Sequence, residues 1–164
     1  MKNTKALTLA GVIAALYVAL TMISTALNLA FGPVQLRLGE ALTVLPFLFP
    51  CTTWGLFAGC IICNILSPYG LLDLIVGSLA TLIAALMTAK CKKKWLAPLP
   101  PVLVNGIACG ALIAWQMVGA TEGFGAAFAL NFLSVSLGQA AVCYVLGGLL
   151  LRWLPKVKNL PFGL

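Results

Sequence analysis

Arg37, Glu40 and Asp73 are charged side chains set in a sequence that is otherwise almost continuously apolar. Arg37 and Glu40 stand three residues apart, which in helical geometry puts them on one face and within pairing reach. An ionisable group at the centre of a membrane helix costs about 2.5–3.5 kcal/mol, so such groups mark function by default. Two readings stay open: an ion pair that anchors a short helix at the membrane interface, or part of a ligand site. Asp73 falls at the start of a predicted helix, where the macrodipole favours a negative charge; it is equally placed to face a ligand cation or amine. Asn64, Trp115, Gln116, Asn131 and Ser134 lie in the same half of their predicted helices as these acids. Amides read the donor and acceptor edges of a planar heterocycle, and an aromatic ring stacks on one, worth about 1–3 kcal/mol per base. The alternatives are interhelical hydrogen bonds for Asn64 and Asn131 and an interface anchor for Trp115. Asn105 and Gln139 lie nearer mid-helix and are expected to serve packing or coupling.

The elements that must position these groups are membrane helices. Hydrophobic residues make up 62% of the 164 residues and charged ones only 8%, against roughly 45–50% and 25% in a soluble domain. Each span needs about 20 apolar residues, so six spans with short turns use almost the whole chain. The expected architecture is an all-α membrane protein, residues 1–164 forming a single membrane-embedded domain. Apolar runs and turn residues place helices at about 6–28, 38–49, 52–66, 71–89, 98–118 and 126–151. Gly32 and Pro33 mark the first loop, and Ser67 to Gly70 form a turn. The second helix contains Pro46, ends at Pro50 and is short for a span, so it is expected either to be tucked among the others or to continue the loop before it. Lys2 and Lys5 precede an apolar run longer than a leader core, which reads as a retained first helix.

Charge sets the orientation. With the N-terminus in the cytoplasm, the 90–94 lysines and the tail carrying Arg152, Lys156 and Lys158 are also inside, and nine of the ten basic residues obey the positive-inside rule. Only Arg37 falls outside. Both termini are thus expected on the cytoplasmic side of the cell membrane. The acids Glu40, Asp73 and Glu122 fall on the outer side or in the outer half, where a pocket for an external ligand would open. The net charge of +7 reflects this topology and implies no nucleic-acid partner.

The first helix carries small residues every four positions, in one row at Ala6, Ala10 and Ala14 and another at Gly11, Ala15 and Ala19. Such rows let another helix approach closely, either within the chain or in a partner. The chain has no histidine, hence no Ser-His-Asp triad, and no phosphate-binding glycine loop for ATP. Cys60 and Cys63 form a C-x-x-C inside a helix with no second pair, so no metal, redox centre or cofactor is expected. A binding protein that draws energy from a partner fits better than an intramembrane enzyme.

Two stretches carry a family resemblance. One is residues 14–21, Ala-Ala-Leu-Tyr-Val-Ala-Leu-Thr. The other is residues 34–46, Val-Gln-Leu-Arg-Leu-Gly-Glu-Ala-Leu-Thr-Val-Leu-Pro. With the six-helix layout, the chain resembles the substrate-binding S components of energy-coupling factor (ECF) transporters, and more narrowly the QueT family, proposed to import queuosine precursors. The resemblance implies an S-component-like bundle that captures a deazaguanine outside the cell. It also implies a transmembrane coupling subunit driven by two cytoplasmic ATPases, with Ala10, Gly11, Ala14 and Ala15 as the docking face. For that substrate, Glu40 is the first choice to accept the guanine-like edge and Asp73 the second, the remaining acid meeting the ligand's ammonium. Arg37 would hold Glu40. Asn64, Gln116 or Asn131 would meet the ring carbonyl, and Tyr69 or Trp115 would stack. An S component for another vitamin-like molecule and a membrane scaffold without a ligand are the alternatives.

Overall fold

The computed structural model describes residues 2–30 and 35–156. The Gly32–Pro33 loop and the tail residue Lys158 lie outside the described residues. Among those described there are helices and turns but no strands. Helix α1 runs from Lys2 to Ala26, α2 from Thr52 to Asn64, α3 from Gly70 to Ala89 and α4 from Leu99 to Val118. Helix α5 (Phe124–Ala140) continues through a π-helical stretch (Ala141–Gly147) into α6 (Gly148–Trp153). Between α1 and α2 lies a 3-10 helix, Leu38–Phe47.

The six helical rods expected from sequence are present, but four stretches reach spanning length and hydropathy: Thr4–Ala26, Gly70–Ala89, Lys94–Val118 and Phe124–Lys156. The 3-10 helix and α2 are shorter, each rising only about 20 Å at about 2.0 and 1.5 Å per residue. The 3-10 helix descends among the longer helices, and α2 returns beside α1 with Trp54 and Ile62 on its exposed face. Backbone that departs from the α-helix is tolerated at membrane depth where protein covers it. Residues 39–46 of the 3-10 helix are all buried. Large apolar side chains on the long helices point outward, among them Leu7, Leu71, Leu130 and Leu137. This arrangement, polar groups inside and leucines outside, suits lipid as the surrounding solvent.

Helices α1 and α2 advance side by side in the same direction. Gly55 and Gly59 face the backbone of Ala10 and Ala14 respectively, a small-residue seam of the kind that lets membrane helices approach closely. A Cβ at Gly55 would run into the Ala10 carbonyl. Gly55→Val should therefore lower stability by about 1–3 kcal/mol, measured as a drop in thermal unfolding midpoint of the detergent-purified protein; an unchanged midpoint would mean the seam is looser than it looks.

The first core cluster fills the space among α1, the 3-10 helix and α2 with Leu9, Ile13, Tyr17, Leu42, Leu45 and Leu56. A second, with Val44, Cys143 and Leu151, locks the 3-10 helix to the π-helical stretch. The 3-10 helix is thus the axial element, and whatever it carries lies at the centre of the bundle.

Candidate functional site

A 3-10 helix has three residues per turn, so side chains three apart eclipse. Glu40 and Thr43 consequently stand one above the other, and Arg37 precedes the helix as its N-cap, in extended conformation. The chain enters this helix tied to α1: the Leu38 N–H donates to Ser24 Oγ at 2.8 Å. On the other side, the missing Cβ of Gly138 leaves room for the Gln35 carbonyl against α5. A side chain there would push Gln35, and Arg37 after it, off the bundle.

Arg37 forms the upper half of the site. Its guanidinium forks, one nitrogen donating to Asn64 Oδ1 at 3.2 Å and the other to Asp73 Oδ2 at 3.3 Å. Ser67 Oγ donates to the same Asp73 oxygen at 2.6 Å, and Asn64 Nδ2 donates to the Asp73 carbonyl at 3.1 Å. The group ties the 3-10 helix, the end of α2 and the start of α3 into one knot. It sits at the end of α3 opposite the 90–94 lysines. Arg37 is 9%, Asp73 2% and Asn64 1% exposed, so this ion pair is buried within the protein.

Glu40 forms the lower half. Its Oε1 accepts from Tyr17 Oη at 2.5 Å. Its Oε2 accepts from Gln139 Nε2 at 2.8 Å and from Asn105 Nδ2 at 3.4 Å. Its backbone carbonyl takes Thr43 Oγ1 at 2.6 Å and the Cys143 thiol at 3.3 Å. Three donors from α1, α4 and α5 thus converge on one carboxylate deep in an apolar bundle, the arrangement that makes a buried acid tolerable. Between the two halves lies a small cavity bounded by Arg37, Glu40, Thr81, Asn105, Cys109 and Gln139. What the whole offers is charge of both signs and a dense set of donors and acceptors, which is the equipment for binding a polar planar molecule.

Of the residues proposed from sequence, Arg37, Glu40, Asp73 and Asn64 come together here. The expected roles need correction in one respect: the ion pair found is Arg37 with Asp73, and Glu40 is held by neutral donors instead. Tyr69 lies at the rim, half-buried against Leu112, Ile113 and Val135. Gln116 is exposed and donates to the Tyr69 carbonyl at 2.9 Å. Trp115, 54% exposed, lines an apolar surface groove with Leu72, Ile107 and Phe124. Asn131 turns back to its own helix, donating to the Ala127 carbonyl at 2.8 Å. Trp115 and Asn131 therefore stand outside the polar cluster. Tyr17, Ser67, Asn105 and Gln139 belong to it and were not proposed for it; Asn105 and Gln139 were expected to serve packing or coupling. The signal for them was only that they are polar groups in apolar helices.

The small-residue rows of α1 divide. Ala10 and Ala14 are half-buried and pack against α2. Gly11, Ala15 and Ala19 are exposed, with open space where a Cβ of Gly11 would be.

A family model described as the QueT transporter matches residues 7–156. The chain belongs to the QueT transporter family. Every member of the polar cluster lies within the matched span. Over 73 residues the chain is 38% identical to a queuosine precursor transporter QueT of Lactococcus lactis subsp. cremoris (strain MG1363). That alignment covers 44% of this chain and 43% of that protein, so it spans less than half of either. No solved structure matches the chain.

Proposed function

We propose that this QueT family member is the substrate-binding S component of an ECF-type importer, and that its cargo is a queuosine precursor of the deazaguanine class. The observation that carries this is the converging polar cluster. Ionisable groups are expensive inside a membrane protein and are kept where they line a substrate path or site. A guanine-like edge presents adjacent N–H donors, for which a carboxylate is the matching acceptor pair. Glu40 takes that edge, and Asp73 with Arg37 shapes the opposite side of the site. The chain sits in the plasma membrane as a multi-pass protein with both termini cytoplasmic, so the Arg37–Asp73 end faces outward and captures ligand from there. It performs no catalysis; a coupling subunit and two cytoplasmic ATPases supply the energy.

The exposed row of Gly11, Ala15 and Ala19 is the face offered to the coupling subunit. Ala15→Trp should abolish co-purification with a coupling subunit and its ATPases while the variant still elutes as a folded protein. Undiminished co-purification would remove α1 from the docking surface.

The experiment for the function as a whole is equilibrium binding of the detergent-purified protein to 7-aminomethyl-7-deazaguanine, with guanine and thiamine as competitors. Saturable binding that thiamine does not displace supports the reading. Binding of thiamine alone, or of no deazaguanine, would retire the substrate while leaving the family membership intact.

A further inference from the structure

Asn105 stands out among the buried polar groups. It is 4% exposed on α4, and its Oδ1 is buried with no hydrogen-bond partner. It borders the cavity between Arg37 and Glu40. Its amide nitrogen lies 3.4 Å from Glu40 Oε2, the longest of the three bonds to that carboxylate, against 2.5 Å from Tyr17 and 2.8 Å from Gln139. A carboxylate only accepts, so the nitrogen must be the end that faces Glu40 and the carbonyl must be the orphan. A buried acceptor without a donor is costly, and more so where water is scarce. Its natural remedy is a donor that arrives with a ligand.

The cavity itself has room for about one water molecule. A bicyclic base cannot enter unless the walls part, and the contact most easily given up is the longest one, between Asn105 and Glu40. The Asn105 carboxamide thus occupies, in the closed site, the position beside Oε2 that an incoming ring amine would take.

We propose that Asn105 is a specificity-determining residue that reads the exocyclic 2-amino group of the ligand. This inference rests on the deazaguanine reading above. The ring N1–H and one hydrogen of the 2-amino group go to the two oxygens of Glu40. The second 2-amino hydrogen goes to Asn105 Oδ1, gaining that oxygen a donor as the side chain gives up the long bond from its Nδ2 to Glu40. The 2-amino group is then bound by two acceptors from different helices, α4 and the 3-10 helix, and a base lacking it leaves both short of a partner.

The test compares 7-aminomethyl-7-deazaguanine, its 2-desamino counterpart and its N2-methyl derivative on the wild type, Asn105→Leu and Asn105→Ala. In the wild type the 2-desamino compound should bind at least about a hundredfold more weakly, because it forfeits two hydrogen bonds, one of them to a charged group. In both Asn105 variants that ratio should fall about tenfold, with the loss confined to the 2-amino ligand. A parallel loss for both ligands, or an unchanged ratio, would show that Asn105 merely packs and would overturn the proposal. Should neither variant fold, the wild type decides alone: the N2-methyl derivative, which keeps one amine hydrogen for Glu40, should bind about tenfold more weakly than its parent, and equal binding overturns the assignment. Failure of the wild type to bind any deazaguanine takes down the functional reading as well, whereas discrimination that survives in the variants takes down Asn105 alone.

Discussion

Arg37→Leu should leave little folded protein, and adding Asp73→Leu should bring much of it back. The two side chains pair at 3.3 Å with relative exposures of 10% and 3%. Removing one partner of such a pair strands a charge in the interior and costs about 3–5 kcal/mol, whereas replacing both with apolar groups is often neutral. Here the stranded carboxylate would keep only the Ser67 hydroxyl at 2.6 Å in place of a guanidinium. The loss of the fork also frees Asn64 Oδ1, which receives Arg37 at 3.2 Å, so the ends of the 3-10 helix, α2 and α3 come apart together. The yield of monodisperse protein in detergent, and its thermal midpoint, report the effect. A double variant no better than the single one would mean that the pair's hydrogen bonds, rather than its charges, hold this end of the bundle. Recovery of the fold without recovery of ligand binding is the pattern expected of a site whose charges serve the ligand.

Most of the architecture was legible because lipid imposes a strict length on apolar runs. The boundaries of α3 and α4 fall within a residue or so of those read from sequence, since lysines and prolines end the runs sharply. The descending element was read as a short tucked helix, but its 3-10 form was not. Nothing in Leu38–Phe47 announces three residues per turn. That form follows from packing, with the Thr43 hydroxyl on the Glu40 carbonyl and the π-helical stretch pressed against it. The π-helical stretch is equally silent in sequence, because it continues the apolar run of α5 without a break.

The candidate site was legible at its three charged residues, and among its neutral groups only at Asn64. A single Arg, Glu or Asp in an apolar run is conspicuous on energetic grounds alone. An amide is not, and its role depends on helix phase and depth. On α4, Gln116 shares the face of Asn105 but stands about 16 Å further along at 1.5 Å per residue, and Trp115 is turned away by about a quarter of a turn. Choosing Trp115 and Gln116 over Asn105 amounted to choosing the helix end over its middle. The polar groups were expected together in the outer half of the helices, whereas the 3-10 helix carries Glu40 to mid-bundle, where it meets the mid-helix groups Asn105 and Gln139. Tyr17 was hidden for a related reason. It lay inside one of the stretches that carry the family resemblance, but an aromatic among alanines reads as packing until a carboxylate is found beside its hydroxyl.

Glu40→Gln is the substitution that separates the binding role of this carboxylate from its structural one. The amide keeps the shape and one acceptor oxygen. Tyr17, whose hydroxyl can either donate or accept, can reverse its bond, now 2.5 Å to Oε1, and so tolerate an amide nitrogen there. Gln139 can keep its bond to the remaining oxygen, now 2.8 Å. The fold should therefore survive with a modest loss in thermal midpoint. The ligand has no such recourse. A guanine-like edge brings two donors, and an amide offers it one acceptor and one opposing donor. Each charge-assisted hydrogen bond is worth about 1.5–3 kcal/mol, so affinity for 7-aminomethyl-7-deazaguanine should fall at least about a hundredfold, equivalent to about 2.7 kcal/mol. Glu40→Asp keeps the charge but withdraws it by one methylene from Tyr17, Gln139 and the ligand alike, and should fall between the two. Retained affinity in Glu40→Gln would move the edge-reading role to Asp73, the other buried carboxylate of the cluster. The Arg37–Asp73 pair would then be a contact the ligand must share or break, and the folded Arg37→Leu/Asp73→Leu double variant would bind no ligand.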